Sequence, residues 1–256
     1  MLAQQLAAAC DIGGGFAAAN PYTVEVVADA RPNLPKSLFR RGLEAALRGA
    51  FLKAYEAVKV DPEQYLQQLR VVYELPIATY DGIASVDIVQ LDRIAEDTIR
   101  GSMKLAAASG AGFGIGGILT IVPDLGVLAV ITVRMIQKLS LIYGFAYNTE
   151  DEEAELWVAA ASAAGVDISR DLVEKQVVSK FIPKVIQRIA ASASAEMVEK
   201  WSARLIPVVS SVIGGGLNYY FTRVWGERAV RHFRQRHLAM RAKALAASEP
   251  PVLRGN

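Results

Sequence analysis

Two long stretches of this chain are apolar, rich in glycine and almost free of charge. Residues 105–133 contain one charged side chain, Asp124, and residues 205–221 contain none. Within both stretches small residues recur at intervals of four: Ala108, Gly112 and Gly116, and then Ser210 and Gly214. Because small side chains on one side of a helix let a second helix approach closely, the pattern predicts two glycine-rich apolar hairpin segments that pack tightly.

Each apolar stretch is also about as long as the shortest membrane span, roughly 17–25 residues. The first is only weakly hydrophobic, and the second contains two serines and Asn218. These features favour hairpins buried in the fold over stable spans. In the first stretch, Val122-Pro123-Asp124 predicts the turn of the hairpin, with Pro123 at the start of the second arm.

The rest of the chain reads as amphipathic helices, and no regular strand alternation interrupts them. Asp61-Pro62 has the character of a helix start, and Thr149 with Glu152 has the spacing of a capping box. We therefore predict an all-α protein. Residues 1–35 are predicted to be a loosely structured lead-in, residues 36–245 a helical domain and residues 246–256 a flexible tail.

The net charge of +2 conceals an uneven distribution of charge. Residues 204–256 hold 9 of the 28 basic and 2 of the 26 acidic residues, which gives +7 there and −5 elsewhere. Such polarity favours anionic partners. Four arginines of the last helix are predicted to contact anionic lipid headgroups, with an ordinary solvated basic face as the alternative: Arg228, Arg231, Arg234 and Arg241. Nucleic acid is disfavoured, because interleaved exposed aromatic residues are missing.

Asp124 lies at the predicted tip of the first hairpin. It either caps the following helix at the surface or is buried with a partner. The buried case predicts a polar cluster between the two hairpins: Asp124, Arg134, Asn218, Tyr219 and Arg223.

The sequence contains no convincing motif for a cofactor or a metal, because the candidate motifs lack the neighbouring residues or elements that they need. The spacing Gly112-x-Gly114-x-x-Gly117 matches a dinucleotide motif, but a helix precedes it and Lys138 stands where an acid is needed. His232 and His237 are five residues apart and so face different directions on a helix, which predicts one packed and one solvated histidine. The single cysteine, Cys10, has no partner for a metal site. No cofactor and no metal are expected.

Two longer motifs resemble the EcsC family. The first is GFGIGGILTIVPDLGVLAVITVRMIQKLSLIYGF, residues 112–145, in which a glycine-rich helix, a Pro-Asp-Leu turn and an aliphatic helix with Arg and Gln are closed by Tyr-Gly. The second is RLIPVVSSVIGGGLNYYFTRVWGERAVRHFRQR, residues 204–236. The resemblance implies a bacterial, mostly helical protein of a family named for a gene beside an ABC exporter.

These observations lead us to expect a non-enzymatic, membrane-associated helical protein that contacts lipid or a membrane protein. The alternative is a soluble helical protein that binds a lipid-like ligand in an internal cavity, and a hydrolase built on the polar cluster ranks last. A secretory signal needs positive charge before its apolar core, and the first basic residue is Arg31. The expected location is therefore cytoplasmic, peripheral on the inner face of the cell membrane.

Overall fold

Helices account for the regular structure in the computed structural model, which describes residues 36–113, 121–168, 178–202 and 210–248. Over these ranges no strand occurs, and the all-α prediction is confirmed. The elements are α1 (Lys36–Ala57), α2 (Pro62–Val72), a 3-10 helix (Tyr80–Ser85), α3 (Ile88–Phe113), α4 (Ile121–Ile142), α5 (Glu150–Ala163), α6 (Val178–Ser202) and α7 (Ser210–Ser248).

Both helix starts predicted from the sequence are confirmed by their caps. The Asp61 side chain accepts hydrogen bonds from the backbone N–H groups of Glu63 and Gln64, at 2.9 and 3.3 Å. At α5, Thr149 and Glu152 form the full capping box. Each cap satisfies N–H groups that have no partner inside the helix, which fixes where the helix begins.

The central helix of the described fold is α4, which packs against α1, α2, α3, α5 and α7. Its segment Leu125–Ile142 has a mean hydropathy of 1.7, so α4 is long and apolar enough to cross a membrane by length and composition. In this fold 72% of that segment is buried. The aliphatic surface of α4 is thus covered by other helices.

The start of α4 differs from the predicted turn. The helix begins at Ile121, so Val122-Pro123-Asp124 forms its first turn instead of the connection before it. Proline is tolerated there, because the N–H it lacks would have no partner within the helix. The connecting residues 114–120 and 203–209 lie outside the described ranges, and the two hairpins therefore remain a prediction.

The long helix α7 lies antiparallel to α3. Asp92 of α3 meets Arg234 of α7, and about two turns away Ile99 meets Gly226. A Cβ atom on Gly226 would lie 2.8 Å from Ile99 Cγ1 and 3.0 Å from its Cδ1. Glycine is thus required for the close approach of these two helices. The helix continues to Ser248, three residues into the segment predicted to be a tail.

Candidate functional site

The candidate site is the basic half of α7, in which no acidic residue occurs from Arg228 to Ser248. The sequence predicted that its arginines meet anionic headgroups. The fold brings most of these arginines against the neighbouring helices, because α7 lies along α3 and also contacts α4 and α5.

Arg234 joins three helices through one carboxylate. Its Nε donates to Asp92 of α3 at 2.9 Å to Oδ2 and 3.2 Å to Oδ1. The hydroxyl of Tyr143, just after α4, donates to Asp92 Oδ1 at 2.7 Å. Burial raises the pKa of Tyr143, and the adjacent carboxylate raises it further. Tyr143 therefore stays a hydrogen-bond donor, and the group fastens α7 to α3 and α4.

Arg228 and Arg236 attach α7 to α5 and α6. The Nη1 atom of Arg228 donates to the carbonyl of Ala163 at 3.3 Å and lies 3.7 Å from a carboxylate oxygen of Glu196. Arg236 donates to Glu155 at 2.8 Å, and its guanidinium lies 4.8 Å from the ring centre of Phe145. These half-buried cations are therefore occupied within the fold.

Arg241 and Arg231 complete the set of predicted headgroup contacts. Arg241 donates from Nη1 to the carbonyl of Val86 at 3.2 Å. Arg231 is exposed and forms no ion pair with the described residues. Of the four arginines proposed to meet headgroups, Arg231 is thus the one without a hydrogen bond or ion pair in the described fold, whereas the other three already bind within the domain.

The two histidines of α7 are both sheltered, in contrast to the predicted packed and solvated pair. His237 is fully buried, and its Nδ1 donates to the carbonyl of Tyr143 at 2.9 Å. The Nε2 atoms of His237 and His232 are buried and have no partner among the described groups. The described residues contain no cluster of ligands that could hold a metal ion. Both imidazoles pack edge-on against aromatic rings, His237 against Tyr143 at 6.1 Å and His232 against Phe233 at 5.6 Å between ring centres.

We expect the free energy of unfolding to fall as the pH drops below about 6.5. Burial lowers the pKa values of His237 and His232 from 6.5, and the charge of Arg241 further lowers that of His237. Below pH 6.5 the histidines bind protons in the unfolded chain but not yet in the folded chain. Their contribution to the free energy of unfolding is therefore fully present above pH 6.5 and is lost as the pH falls toward the lower pKa values of the folded state. Each histidine can contribute a slope of at most about 1.4 kcal/mol per pH unit.

Urea unfolding at intervals between pH 7.5 and 5.5 measures this slope. The variant His237→Asn keeps a donor near the position of Nδ1 but does not titrate, and it should flatten the profile. A profile that is already flat in the parent protein would contradict the assigned burial of these imidazoles.

The predicted polar cluster is only partly described. Arg134 is exposed on α4, Asn218 is buried on α7 and Tyr219 is 43% exposed. Arg223 forms an ion pair of 2.8 Å with Glu227 on its own helix. The side chain of Asp124 lies outside the described residues, and the cluster therefore stays a prediction.

The distal end of α7, residues 238–246, is a feature that the sequence reasoning missed. Helical spacing puts Met240 and Ala244 on the same side of α7 as Phe233 and His237, which predicts that all four are packed. Phe233 and His237 are indeed buried, but Met240 is 39% and Leu245 is 67% exposed. All five residues from 242 to 246 are exposed. Periodicity gives the direction of a face but does not tell where the neighbouring helix ends.

The comparisons with known proteins identify the same family by two routes. A family model described as the EcsC protein family matches residues 41–238. Protein EcsC of Bacillus subtilis (strain 168) is 27% identical over 168 residues, which are 63% of this chain and 70% of that protein. No solved structure matches the chain. The matched range extends from α1 to the beginning of the distal end of α7.

Proposed function

This chain belongs to the EcsC protein family, as its two sequence motifs predicted, and on that premise we propose a function at a membrane surface. The protein is a non-enzymatic helical protein that contacts anionic lipid through the distal end of α7. Its location is the inner face of the cell membrane. The exposed apolar side chains of the distal end, set in the part of α7 from Arg228 to Ser248 that contains no acidic residue, are the observation that carries this proposal.

The distal end presents exposed apolar side chains and cations together at the surface. Leu238, Met240 and Leu245 are 38%, 39% and 67% exposed, and Lys243 is exposed among them. Apolar side chains on such a helix enter the boundary between headgroups and acyl chains, and each nearby cation adds about 1 kcal/mol at an anionic surface. Since Arg228, Arg234 and Arg241 are occupied within the domain, the proposed headgroup contacts come from Lys243 and Arg231.

The burial of α4 supports peripheral contact over insertion. The most apolar helix of the described fold is covered by five other helices, so exposing it to lipid would require the core to open. In the proposed mode the core stays closed, and the membrane meets only side chains that are already at the surface.

A lipid-like ligand inside the protein has less support. The core contains a cavity of about 10 Å³. Its lining residues are mainly apolar: Phe51, Val133, Ile136, Gln137, Leu156, Trp157, Ala160, Ile189 and Trp225. A space of this size holds at most one water molecule, whereas an acyl chain needs many times more. This cavity is therefore too small for an acyl chain, and it gives no support to the alternative function.

We expect the variant Met240→Asp/Leu245→Asp to bind anionic vesicles at least tenfold more weakly than the parent protein. Each substitution removes apolar area that membrane contact would bury, about 1.5–3 kcal/mol for a fully buried side chain of this size, and adds repulsive charge. Cosedimentation with vesicles of phosphatidylcholine and phosphatidylglycerol measures the effect, with pure phosphatidylcholine as the uncharged reference.

The matched control is Val71→Asp/Val72→Asp on α2, where the two valines are 78% and 63% exposed. This variant also replaces two exposed apolar side chains by aspartate, but on a helix that is far from the distal end of α7 in the sequence. It should bind vesicles as the parent protein does. Equal losses in both variants would show a nonspecific charge effect. Full binding by the α7 variant would exclude the distal end as the contact.

A further inference from the structure

From Leu125 to Ile142 the central helix α4 has two charged residues, and both are cations. Over Leu125–Ile142 the charged residues are Arg134 and Lys138, which lie one helical turn apart. Side chains at this spacing are neighbours, and two like charges there destabilise a helix by about 0.2–0.5 kcal/mol. The pair therefore carries a small cost that no described side chain of α4 compensates.

Lys138 stands out from the other sheltered cations of the domain. Five lysine or arginine side chains are half-buried among the described residues: Lys138, Arg228, Arg234, Arg236 and Arg241. All four arginines bond to a carboxylate or a backbone carbonyl. Lys138 instead lies over the ring of Tyr65, with its Nζ 5.6 Å from the ring centre. A half-buried ammonium group held only by an aromatic face lacks an anionic partner.

The acidic residues of the adjoining helix α3 do not serve as anionic partners of Lys138. Asp92 is bound by Arg234 and Tyr143, and Asp97 lies 3.4 Å from Arg100. Burial lowers the pKa of Lys138, and the charge of Arg134 lowers it further. No described carboxylate forms an ion pair with either cation, so the positive potential of the pair is uncompensated within the described fold.

From this geometry we propose that Arg134 and Lys138 form a binding site for a phosphate group. The planar guanidinium of Arg134 donates two parallel hydrogen bonds to phosphate oxygens, and the Lys138 ammonium supplies a second charge from one turn along the helix. The ring of Tyr65 covers one side of the Lys138 ammonium group and reduces its contact with water. The ligand is a phosphate ester or a free phosphate ion, and it is distinct from the contact at the distal end of α7.

The site is tested by titrating the full chain with inorganic phosphate at constant ionic strength, using the ¹³Cε signal of Lys138 as the readout. Bound phosphate should move this signal and raise the pKa of Lys138. The variant Arg134→Gln/Lys138→Gln should bind at least tenfold more weakly. Removing the two cations also relieves their repulsion, so this variant should unfold at the same or a higher temperature than the parent protein.

The control variant Arg48→Gln/Lys53→Gln removes two exposed cations from α1 and should retain full phosphate binding. A parallel arm uses phosphatidylcholine vesicles with and without phosphatidic acid. Binding to inorganic phosphate identifies a soluble phosphate ligand. A response to phosphatidic acid alone, lost in the α4 variant and retained in Met240→Asp/Leu245→Asp, identifies a lipid headgroup. No response in either arm, or equal responses in the α4 variant and the parent protein, overturns the proposal.

Discussion

Replacement of Gly226 by valine is expected to lower the free energy of unfolding by about 3 kcal/mol, the upper end of the usual cost of overpacking a core. A Cβ at this position would lie 2.8 Å from Ile99 Cγ1 and 3.2 Å from its Cγ2. Both atoms are attached directly to the Cβ of a buried, β-branched side chain, so neither can move away easily. The helices α3 and α7 would have to separate, and the contacts on both sides of Gly226 would loosen. Urea unfolding at pH 7.5 measures the loss.

The matched control is Gly216→Val on the same helix. No atom lies within 4 Å of the position that a Cβ on Gly216 would occupy, and the change should therefore alter stability by only a few tenths of a kcal/mol. A second test is the compensating change Ile99→Ala. Alone it should destabilise the domain, but in the Gly226→Val background it should cost less, because it makes room for the new side chain. Additive effects would mean that the helices adjust without contact at Ile99.

The need for glycine at a helix contact could be predicted from the sequence, but its position could not. The repeats of small residues directed attention to the glycine-rich stretches, much of which lies outside the described residues. Gly226 lies between Trp225 and Glu227, and the residues four positions away are Thr222 and Val230, so it is not part of a repeat of glycine, alanine or serine. Its role depends on the antiparallel register of α3 and α7, in which residue 99 meets residue 226. A single sequence does not reveal such a long-range pairing.

The charges of α7 also have long-range partners that a single sequence does not reveal. Their sign and their helical position were evident from the sequence, and the headgroup hypothesis followed from them. The partner of Arg234 is Asp92, 142 residues earlier in the chain. Local spacing cannot distinguish an arginine that reaches across to such a partner from one that faces solvent. By contrast, the caps at Asp61 and Thr149 involve only residues within three positions, and the sequence predicted both correctly.

Gln137 is the polar residue whose loss should affect the core most. It is 6% exposed on α4, and its amide binds the segment between α1 and α2 at two points. Its Oε1 accepts from the N–H of Val60 at 3.0 Å, and its Nε2 donates to the carbonyl of Val58 at 3.0 Å. The family motif contained this residue, but only as a polar position in an aliphatic helix. The backbone groups it satisfies lie almost eighty residues earlier, which the motif does not indicate.

The variant Gln137→Leu is expected to lower the free energy of unfolding by about 2–4 kcal/mol. Leucine has a similar volume, but it leaves the buried N–H of Val60 and the carbonyl of Val58 without their partner, and each unsatisfied group costs about 1–3 kcal/mol. Gln68→Leu, which changes an exposed glutamine of α2, should stay within about 0.5 kcal/mol of the parent protein. Hydrogen exchange at the Val60 amide provides a local readout and should accelerate in Gln137→Leu. A Gln137→Leu protein with parental stability and slow exchange at Val60 would show that the linker is held by other contacts, such as the 2.6 Å bond from the Tyr147 hydroxyl to the Val60 carbonyl.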